Sequence, residues 1–376
     1  MIYLDYAANT PCDQQVLNRF VQLEENNPFN INSTNLLALP TKELYNNSVE
    51  MIAKLLNVHN DELVFTSSAT ESNNLLIKGI AKHYKGLGKH IITSFLEHSS
   101  INGPIAFLQN EGYEVDFVNI DNNGLVDMEH LASLLRSDTL LVSLSHVDSE
   151  IGLIQQVNSI GEFIKKNSNS YFHVDGTQAI GKIPVKFDFI DSYSFAAHKF
   201  YGLNGCGMLY INKSVIIEPL HHGGISTSIY RSGTPSLGLV GSSALALEIA
   251  IRELDARFVY VKKLNEKLVE AFGKYEKVII NSTINSSPYI LNISFNKIKG
   301  EMVMKELALA GICLSTKSAC SAPFAPSRSV FALTGNRKIS RSTLRISLSH
   351  LTKNEEIEIF LCEFDKIYNE ITNDKA

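Results

Sequence analysis

The chain has 376 residues, a formal net charge of −5 and 44 % hydrophobic residues. At about 150 residues per domain, this length predicts two domains. Such a chain buries about three quarters of the surface it exposes when unfolded, so it needs neither disulfides nor a structural metal to hold a core. The acidic balance argues against a nucleic-acid binder that relies on a general positive field.

The cysteines and the N-terminal residues bear on the compartment. Five cysteines are widely spaced and include no C-x-x-C pair, which argues against a disulfide scaffold and against a structural zinc module. The first residues have no basic start, and no stretch reaches about 18 apolar residues. We therefore expect a cytoplasmic protein with no signal peptide and no contact with a membrane.

Short apolar runs alternate with amphipathic stretches through most of the sequence. The predicted strands are Leu63–Thr66, His90–Ser94, Leu140–Val147, Tyr171–Val174, Ser192–Ala196 and Met208–Asn212. Amphipathic stretches at Glu71–Tyr84 and Ile160–Lys166 predict helices between them. Nearly all-apolar strands are typical of parallel strands covered on both faces. The alternation therefore predicts an α/β domain with a mostly parallel sheet.

The pattern changes after about residue 252, where strands and helices no longer alternate simply. The predicted elements there are a long helix Leu254–Tyr275, a strand Tyr289–Phe295, a helix Glu301–Ala310, a strand Thr343–Leu348 and a closing helix from Asn354. This arrangement predicts a smaller α+β domain. We place the large domain at 14–253, and the small domain at 254–376 together with residues 1–13.

A lysine and an aspartate each follow a predicted buried strand. Lys199 comes directly after His198 and the strand Ser192–Ala196, and Asp175 ends the strand that begins at Tyr171. A lone lysine at a strand end is usually a surface residue, because a lysine is costly to bury unless it is paired or chemically used. Pyridoxal phosphate, however, needs these two groups: an amine for its aldehyde and an acid against its pyridinium nitrogen.

A phosphate site is indicated where a strand leads into a helix. Ser68 and Glu71 have the spacing of a capping box, which marks a helix N-terminus. Free backbone N–H groups and the helix dipole attract phosphate there. Most such sequences are plain caps, so the interpretation depends on the neighbouring lysine and aspartate.

With these motifs the chain resembles the NifS-like cysteine desulfurases, pyridoxal-phosphate enzymes of the class V aminotransferase family. The resemblance covers essentially the whole chain. The matching segments are Tyr3–Ala8, Thr70–Asn73, Glu97-His98, Glu150–Gly152, His173–Asp175, Thr177-Gln178, His198-Lys199, Arg231–Thr234, Ser318–Cys320 and Arg345–Ser347. The resemblance implies the fold type I of pyridoxal-phosphate transferases, with a mostly parallel seven-stranded sheet in the large domain, and a homodimer.

The resemblance implies a role for each residue at the cofactor ring. Lys199 would hold the cofactor and move the substrate's α-proton as general base and acid. Asp175 would keep the ring nitrogen protonated, and Gln178 would contact the ring oxygen. His98 would stack on the ring and move protons.

The same resemblance implies which residues bind the phosphate and the substrate. The phosphate would be bound by Ala69, Thr70, His198 and, from a neighbouring subunit, Thr234. Arg345 would take the substrate carboxylate with its bidentate fork. Ser149 stands where an asparagine usually contacts cofactor and substrate.

The nucleophile implied by the resemblance is Cys320. It lies in Lys317–Pro323, a stretch of small residues that predicts a mobile, exposed loop. Its thiolate would attack the sulfur of bound L-cysteine and give alanine and a persulfide, which a sulfur-acceptor protein collects. The remaining cysteines are interpreted as inert buried hydrophobes: Cys12, Cys206, Cys313 and Cys362.

We assign no metal. His221-His222 looks like a metal-binding pair, but the resemblance places it in a turn near the active site. His173 and Asp175 alternate on a strand and have no third ligand in sequence.

Several positions near the cofactor depart from the family pattern. Ser149 replaces an amide, Ala196-Ala197 replace Ser-Gly before the histidine, and Ser68 replaces a glycine. Lys317 replaces a glycine three residues before Cys320. A positive charge there would lower the pKa of the Cys320 thiol or contribute to docking of a partner.

The sequence predicts an active cysteine desulfurase whose sulfur goes to iron–sulfur assembly, tRNA thiolation or DNA phosphorothioation, without direct binding of nucleic acid. One alternative is a selenocysteine lyase or another pyridoxal-phosphate carbon–sulfur lyase, which would work without Cys320. The other is a catalytically weak subunit of a larger complex.

Overall fold

The computed structural model describes residues 1–317 and 325–373. In chain order the strands are β1 (Ile2–Tyr3), β2 (Leu63–Thr66), β3 (His90–Ser94), β4 (Glu114–Val118), β5 (Thr139–Ser145), β6 (Tyr171–Asp175), β7 (Ser192–Ala196), β8 (Gly207–Ile211), β9 (Val278–Ile280), β10 (Ile290–Phe295), β11 (Ile312–Cys313) and β12 (Thr343–Ser347). The α-helices are α1 (Gln14–Asn26), α2 (Leu39–Leu56), α3 (Ala69–His83), α4 (Ser99–Asn110), α5 (Met128–Leu134), α6 (Val157–Asn167), α7 (Leu237–Arg252), α8 (Leu254–Phe272), α9 (Gly300–Leu309), α10 (Arg328–Thr334) and α11 (Asn354–Asn373).

Seven strands form the central sheet in the order β2-β8-β7-β6-β5-β3-β4. Strand β8 runs antiparallel to both of its neighbours, and every other pairing in this sheet is parallel. The predicted mostly parallel α/β sheet is therefore confirmed. Because the parallel strands all point the same way, the residues that follow them meet at one edge of the sheet, where ligands bind in such folds.

The predicted strands agree closely with the observed ones, and the differences have physical causes. Strands β2, β3 and β7 have the predicted bounds, and the other predicted strands of this sheet differ by one or two residues. Strand β4 was missed because it is the half-exposed edge of the sheet and contains Glu114 and Asp116. Helix α7 was missed because it is apolar all round and mostly buried, so it lacks an amphipathic period.

Helices α1 and α2 pack against α7 on one side of the central sheet. Gly241 of α7 permits the close approach of α1, since a Cβ at this position would lie 2.4 Å from the Leu23 side chain. The three helices share one apolar cluster with strands of the central sheet.

A second, separate apolar cluster lies under the smaller sheet β12-β10-β9 and helices α8, α9 and α11. Leu4 belongs to this cluster, and β1 pairs with β11 in parallel. Helices α7 and α8 are separated only by Glu253. The division into two domains, 14–253 and 1–13 with 254–376, stays a prediction. Over the described ranges, no helix is long and apolar enough to cross a bilayer.

Candidate active site

A cavity of about 210 Å³ lies at the carboxyl edge of the central sheet. Ser145 ends β5, Asp175 ends β6, and Lys199 follows β7 by three residues. The strand topology therefore brings together side chains that are far apart in sequence. The predicted site residues that line the cavity are Ala69, Thr70, His98, Ser149, Asp175, Gln178, His198, Lys199 and Arg345.

Two predicted residues are not placed in this cavity. Thr234 lies in a separate groove with Ser67 and Arg231. Its role at the phosphate of a neighbouring subunit stays a prediction. Cys320 lies outside the described residues.

The N-terminal segment folds over the lysine. Lys199 Nζ donates hydrogen bonds to the carbonyl oxygens of Ala7 and Ala8, each at 2.7 Å. Thr10 N–H donates to His198 O at 3.1 Å, which ties the same segment to the lysine turn. The motif Tyr3–Ala8 thus forms part of the wall of the cavity, a role that the sequence alone did not specify.

A buried hydrogen-bond network fixes the Asp175 carboxylate. Asn73 Nδ2 donates to Asp175 Oδ2 at 3.0 Å, and Thr177 N–H donates to Oδ1 at 3.0 Å. Asn73 Oδ1 accepts in turn from Ser194 and from His173 Nε2. Both ring nitrogens of His173 have protein partners, because Nδ1 lies 3.0 Å from the Ser192 hydroxyl. The carboxylate is thus held in one orientation at the cavity wall, and His173 serves this network.

His98 is the N-cap of α4, and its tautomer follows from that role. Ser100 N–H donates to His98 Nδ1 at 3.1 Å, so Nδ1 is an acceptor and the proton is on Nε2. Burial lowers the pKa of His98, although the charge of Asp175 opposes the shift. His98 is therefore a neutral imidazole at the cavity wall, suited to stacking and to proton movement.

The helix N-terminus at which the sequence predicts an anion site is the start of α3. Ser68 caps the helix by accepting from Glu71 N–H at 3.2 Å. The Glu71 carboxylate accepts from Ser67 N–H at 2.7 Å, one residue earlier than in a standard capping box. Ala69 and Thr70 line the cavity, and as the first residues of the helix they carry N–H groups without intrahelical acceptors.

Burial, and then the charges of Lys199 and Lys182, lower the pKa of His198 to about 4. His198 is thus neutral beside the predicted phosphate position. Thr177 Oγ1 lines the same cavity and is buried with no hydrogen-bond partner among the described residues. An amine, an ordered carboxylate, a helix N-terminus and an unpartnered hydroxyl around one cavity form a donor set that fits pyridoxal phosphate.

Arg345 is held at the other side of the cavity, with 1 % of its surface exposed. Nη2 contacts Asp5 Oδ1 at 2.7 Å, and Nη1 donates to Ser149 O at 2.9 Å. Arg345 Nε is buried with no partner among the described residues. Ser149 thus holds Arg345 through its main chain, so this contact does not need the asparagine side chain that is usual in the family.

Two buried carboxylates hold the segment that begins at Ala325. Ser327 Oγ donates to Glu150 Oε2 at 2.5 Å, and Ser329 Oγ donates to Asp148 Oδ1 at 2.7 Å. Burial, and then the charge of Glu150, raise the pKa of Asp148 to about 6. These contacts flank Ser149. Glu150 lies in a segment that matches the family, but no role was predicted for it or for Asp148.

The segment that ends at Lys317 is anchored as well. Ser315 Oγ donates to Asp5 Oδ2 at 2.7 Å, and Asp5 also contacts Arg345. Lys317 Nζ donates to Ala325 O at 2.8 Å, so it links the two described ends of the chain that flank residues 318–324. Both ends are therefore attached to groups at the cavity.

The other four cysteines differ from one another more than the sequence suggested. Cys206 is buried, and burial raises the pKa of its thiol to about 11. Cys12 and Cys313 are half-buried, and burial raises the pKa of each thiol. Cys362 is exposed on α11, so its interpretation as a buried hydrophobe is wrong. Its neighbours Leu361 and Phe364 face the core instead.

Lys182 is a second lysine near the cavity, which the sequence analysis did not identify. Its side chain is buried, and Nζ donates to Gln178 Oε1 at 2.7 Å. Gln178 Nε2 donates to Ala7 O at 2.8 Å, so Lys182 fixes the orientation of the amide. Burial, and then the charges of Lys199 and Arg345, lower the pKa of Lys182 to about 7.

Replacing Lys182 by methionine is expected to raise thermal stability near pH 7, with a gain that shrinks as the pH rises toward 10.5, its ordinary pKa. Near pH 7 and below, the burial cost of the charged amine is present in full. Between about 7 and 10.5 only the unfolded chain binds the proton, so wild-type stability rises with pH. Removing the full cost would stabilise the variant by a few kcal/mol, and the loss of the hydrogen bond to Gln178 makes the net gain smaller.

The measurement is the melting temperature of both proteins from neutral pH to about pH 10. Lys85→Met is the matched control, because Lys85 is exposed and forms no ion pair within the described ranges. A stability difference between Lys182→Met and wild type that does not change with pH would contradict a titrating, buried Lys182.

The comparisons with known proteins agree with this fold. Residues 2–360 match the family model "Aminotransferase class-V". The chain therefore belongs to the class V aminotransferase family. It is 37 % identical over 365 residues to "Cysteine desulfurase IscS" of Buchnera aphidicola subsp. Acyrthosiphon pisum, covering 95 % of this chain and 90 % of the relative. Within the family, the chain is thus a homologue of the cysteine desulfurases.

Solved structures support the same relationship. A "NIFS-like protein" superposes with a TM-score of 0.92 at 33 % identity, covering 98 % of this chain and 99 % of that chain. A structure titled "SspA in complex with cysteine" superposes with a TM-score of 0.82 at 28 % identity, covering 93 % and 99 %. The fold type I architecture expected from the sequence is therefore confirmed.

Proposed function

We propose that the protein is a pyridoxal-phosphate-dependent cysteine desulfurase that converts L-cysteine to L-alanine and passes the sulfur on through a persulfide on Cys320. The observation that carries the proposal is the single cavity that joins Lys199, the ordered Asp175 carboxylate and the buried Arg345. The 37 % identity to a cysteine desulfurase, in an alignment that covers 95 % of this chain, supports it.

When bound, pyridoxal phosphate supplies an electron sink for the charge that develops at the substrate α-carbon. Asp175 would face the ring nitrogen with a carboxylate already oriented by Asn73 and Thr177. The N–H groups of Ala69 and Thr70 would bind the phosphate at the start of α3. These groups are preorganised, so binding requires little rearrangement.

Lys199 would hold the cofactor and then take and return the substrate α-proton. Its amine lies at the cavity wall against Ala7 and Ala8, close enough to the sheet edge to serve both purposes. His98, neutral with the proton on Nε2, would stack on the ring and move a proton to or from the substrate. Arg345 would orient the substrate through its carboxylate, with the guanidinium held in place by Asp5 and Ser149.

The nucleophile of the proposed sulfur step is the Cys320 thiolate. It attacks the substrate sulfur, an S–S bond forms, and the carbon–sulfur bond of the substrate breaks. The carbon receives the electron pair and a proton and becomes the methyl group of alanine. The sum is L-cysteine plus a thiol giving L-alanine plus a persulfide, so no external oxidant or reductant is needed for this step.

Three further proposals accompany the activity. The enzyme is a homodimer in which Thr234 completes the phosphate site of the neighbouring subunit; the position of Thr234 outside the cavity of its own chain supports this. A sulfur-acceptor protein takes the persulfide, and nucleic acid is not bound directly. The protein acts in the cytoplasm.

The test is to load the protein with pyridoxal phosphate, supply L-cysteine with a thiol reductant, and measure alanine and sulfide together. We expect equal amounts of the two products, since each turnover releases one of each. The same assay with L-selenocysteine separates the lyase alternative, which predicts strong preference for the selenium substrate. Bound cofactor without alanine from either substrate would contradict the desulfurase and favour a catalytically weak subunit.

A further inference from the structure

A groove of about 550 Å³ lies beside the smaller sheet, away from the active-site cavity. One wall is the turn 296–299 that follows β10, and the other is the segment 336–341 between α10 and β12. Four exposed basic side chains line it: Lys297, Lys299, Lys338 and Arg341. We name these four residues and the space between them the basic groove.

The charge of the basic groove is not neutralised. No acidic residue lines it, and none of its four basic side chains forms an ion pair within the described part of the chain. Other exposed lysines do pair, as Lys82 does with Glu218 and Lys366 with Glu363. A concentrated positive surface on a chain of net charge −5 attracts anionic partners selectively to one place.

The backbone that presents these side chains is fixed. Phe295 N–H donates to Ser342 O at 3.2 Å, and Ser342 Oγ donates to Phe295 O at 2.8 Å, so the two walls are tied together. Lys297 has a φ of 64°, in the left-handed region that a lysine rarely adopts. A lysine held in a disfavoured conformation on an exposed turn points to a use for its side chain.

The floor of the basic groove indicates which kind of anion it fits. Ile279, Phe295, Ile298 and Ile339 line it beneath the charged rim. An apolar centre with a charged rim is typical of protein–protein interfaces. Nucleic acid is instead bound through an extended basic surface on a protein with a basic balance, and this chain is acidic. The chemistry therefore favours an acidic peptide segment that carries an apolar side chain.

The basic groove is also close to the catalytic elements along the chain. Arg341 precedes Arg345 by four residues, which limits their Cα separation to about 14 Å. Helix α10 leads into the wall at 336–341. It begins three residues after Ala325, which is the first described residue after Cys320. A protein bound in the groove would thus lie near Arg345 and near helix α10.

We propose that the basic groove docks an acidic segment of the sulfur-acceptor protein; this identification of the partner's chemistry rests on the proposed desulfurase function. Electrostatic attraction brings the acceptor to this face, and an apolar side chain of the acceptor fills the floor between Phe295 and Ile339. The docked acceptor receives the sulfur at the neighbouring catalytic segment.

The test uses the full chain loaded with pyridoxal phosphate and a fluorescein-labelled peptide of glutamates around one central leucine. Binding is measured by fluorescence anisotropy for wild type and for Lys297→Glu/Lys338→Glu. We expect the double variant to bind at least tenfold more weakly and wild-type binding to weaken steeply with salt. The matched control is Lys85→Glu/Lys263→Glu, which makes the same change in net charge at exposed lysines outside the groove and should bind as wild type does.

Three results would overturn the proposal. They are equal weakening by both double variants, equal binding of a peptide with glutamines in place of the glutamates, and tighter binding of a 20-nucleotide single-stranded RNA than of the acidic peptide. Alanine formation from L-cysteine is measured in parallel and should be the same in wild type and both variants. Absence of alanine in wild type would count against the proposed function, whereas the binding measurements judge the groove separately.

Discussion

Replacing Lys199 by alanine is expected to stop alanine formation from L-cysteine, with a loss of about 10⁴-fold or more. The reason is that Lys199 has two proposed duties, holding the cofactor and moving the α-proton. Its Nζ lies at the wall of the cavity, 2.7 Å from the carbonyl oxygens of Ala7 and Ala8. Lys182, the other lysine nearby, is buried and donates to Gln178, so it is not placed to substitute.

The measurement combines alanine release with covalent trapping of the cofactor by borohydride and mapping of the labelled peptide. Wild type should carry the label on Lys199, and Lys199→Ala should carry none. Lys182→Ala is the matched control, since it removes the second lysine of the same region while leaving the label on Lys199. Label on residue 182 in the Lys199→Ala protein, with retained turnover, would reverse the assignment of the two lysines.

Most residues of the cavity could be predicted from the sequence, because the local strand pattern and the sheet topology agree there. Asp175 and Lys199 each follow a nearly all-apolar strand, and parallel strands bring such positions to one edge. The cap at Ser68 has a local signal that the structure confirms. The edge strand β4 and the apolar helix α7 lack the periods that pattern analysis relies on, and they were missed.

Contacts between distant parts of the chain could not be predicted in the same way. The N-terminal segment contacts both catalytic regions: Asp5 binds Arg345, and Ala7 accepts from Lys199 and Gln178. Nothing local in Tyr3–Ala8 specifies partners that lie more than 170 residues away. Asn73 lies in a matching segment, but its role was not predicted, and Lys182 was missed. The reason is related, since each acts through another polar residue, Asp175 or Gln178.

Two of the positions that depart from the family pattern have defined contacts in the structure. Arg345 is held by the main-chain oxygen of Ser149 and by Asp5, so the change from asparagine leaves its position supported. Ser68 serves as the side-chain cap of α3, a contact that a glycine does not make.

Replacing Cys320 by alanine is expected to remove almost all alanine formation from L-cysteine while leaving cofactor binding intact. The proposed step requires a thiolate to accept the substrate sulfur, and the buried and half-buried cysteines are poor alternatives to Cys320. Burial raises the pKa of the Cys206 thiol to about 11 and also raises the pKa values of Cys12 and Cys313. At neutral pH these thiols are therefore almost entirely protonated, and the thiolate is the reactive form.

The matched control for this prediction is Cys362→Ala. Cys362 is exposed on α11, so this substitution removes a solvent-accessible thiol without changing the site. We expect Cys362→Ala to match wild type in alanine release, and mass spectrometry of substrate-treated wild type should find one added sulfur on the peptide containing Cys320. If Cys320→Ala instead releases alanine at the wild-type rate, the thiol is not the sulfur acceptor. The enzyme would then be a carbon–sulfur lyase that uses the same cavity.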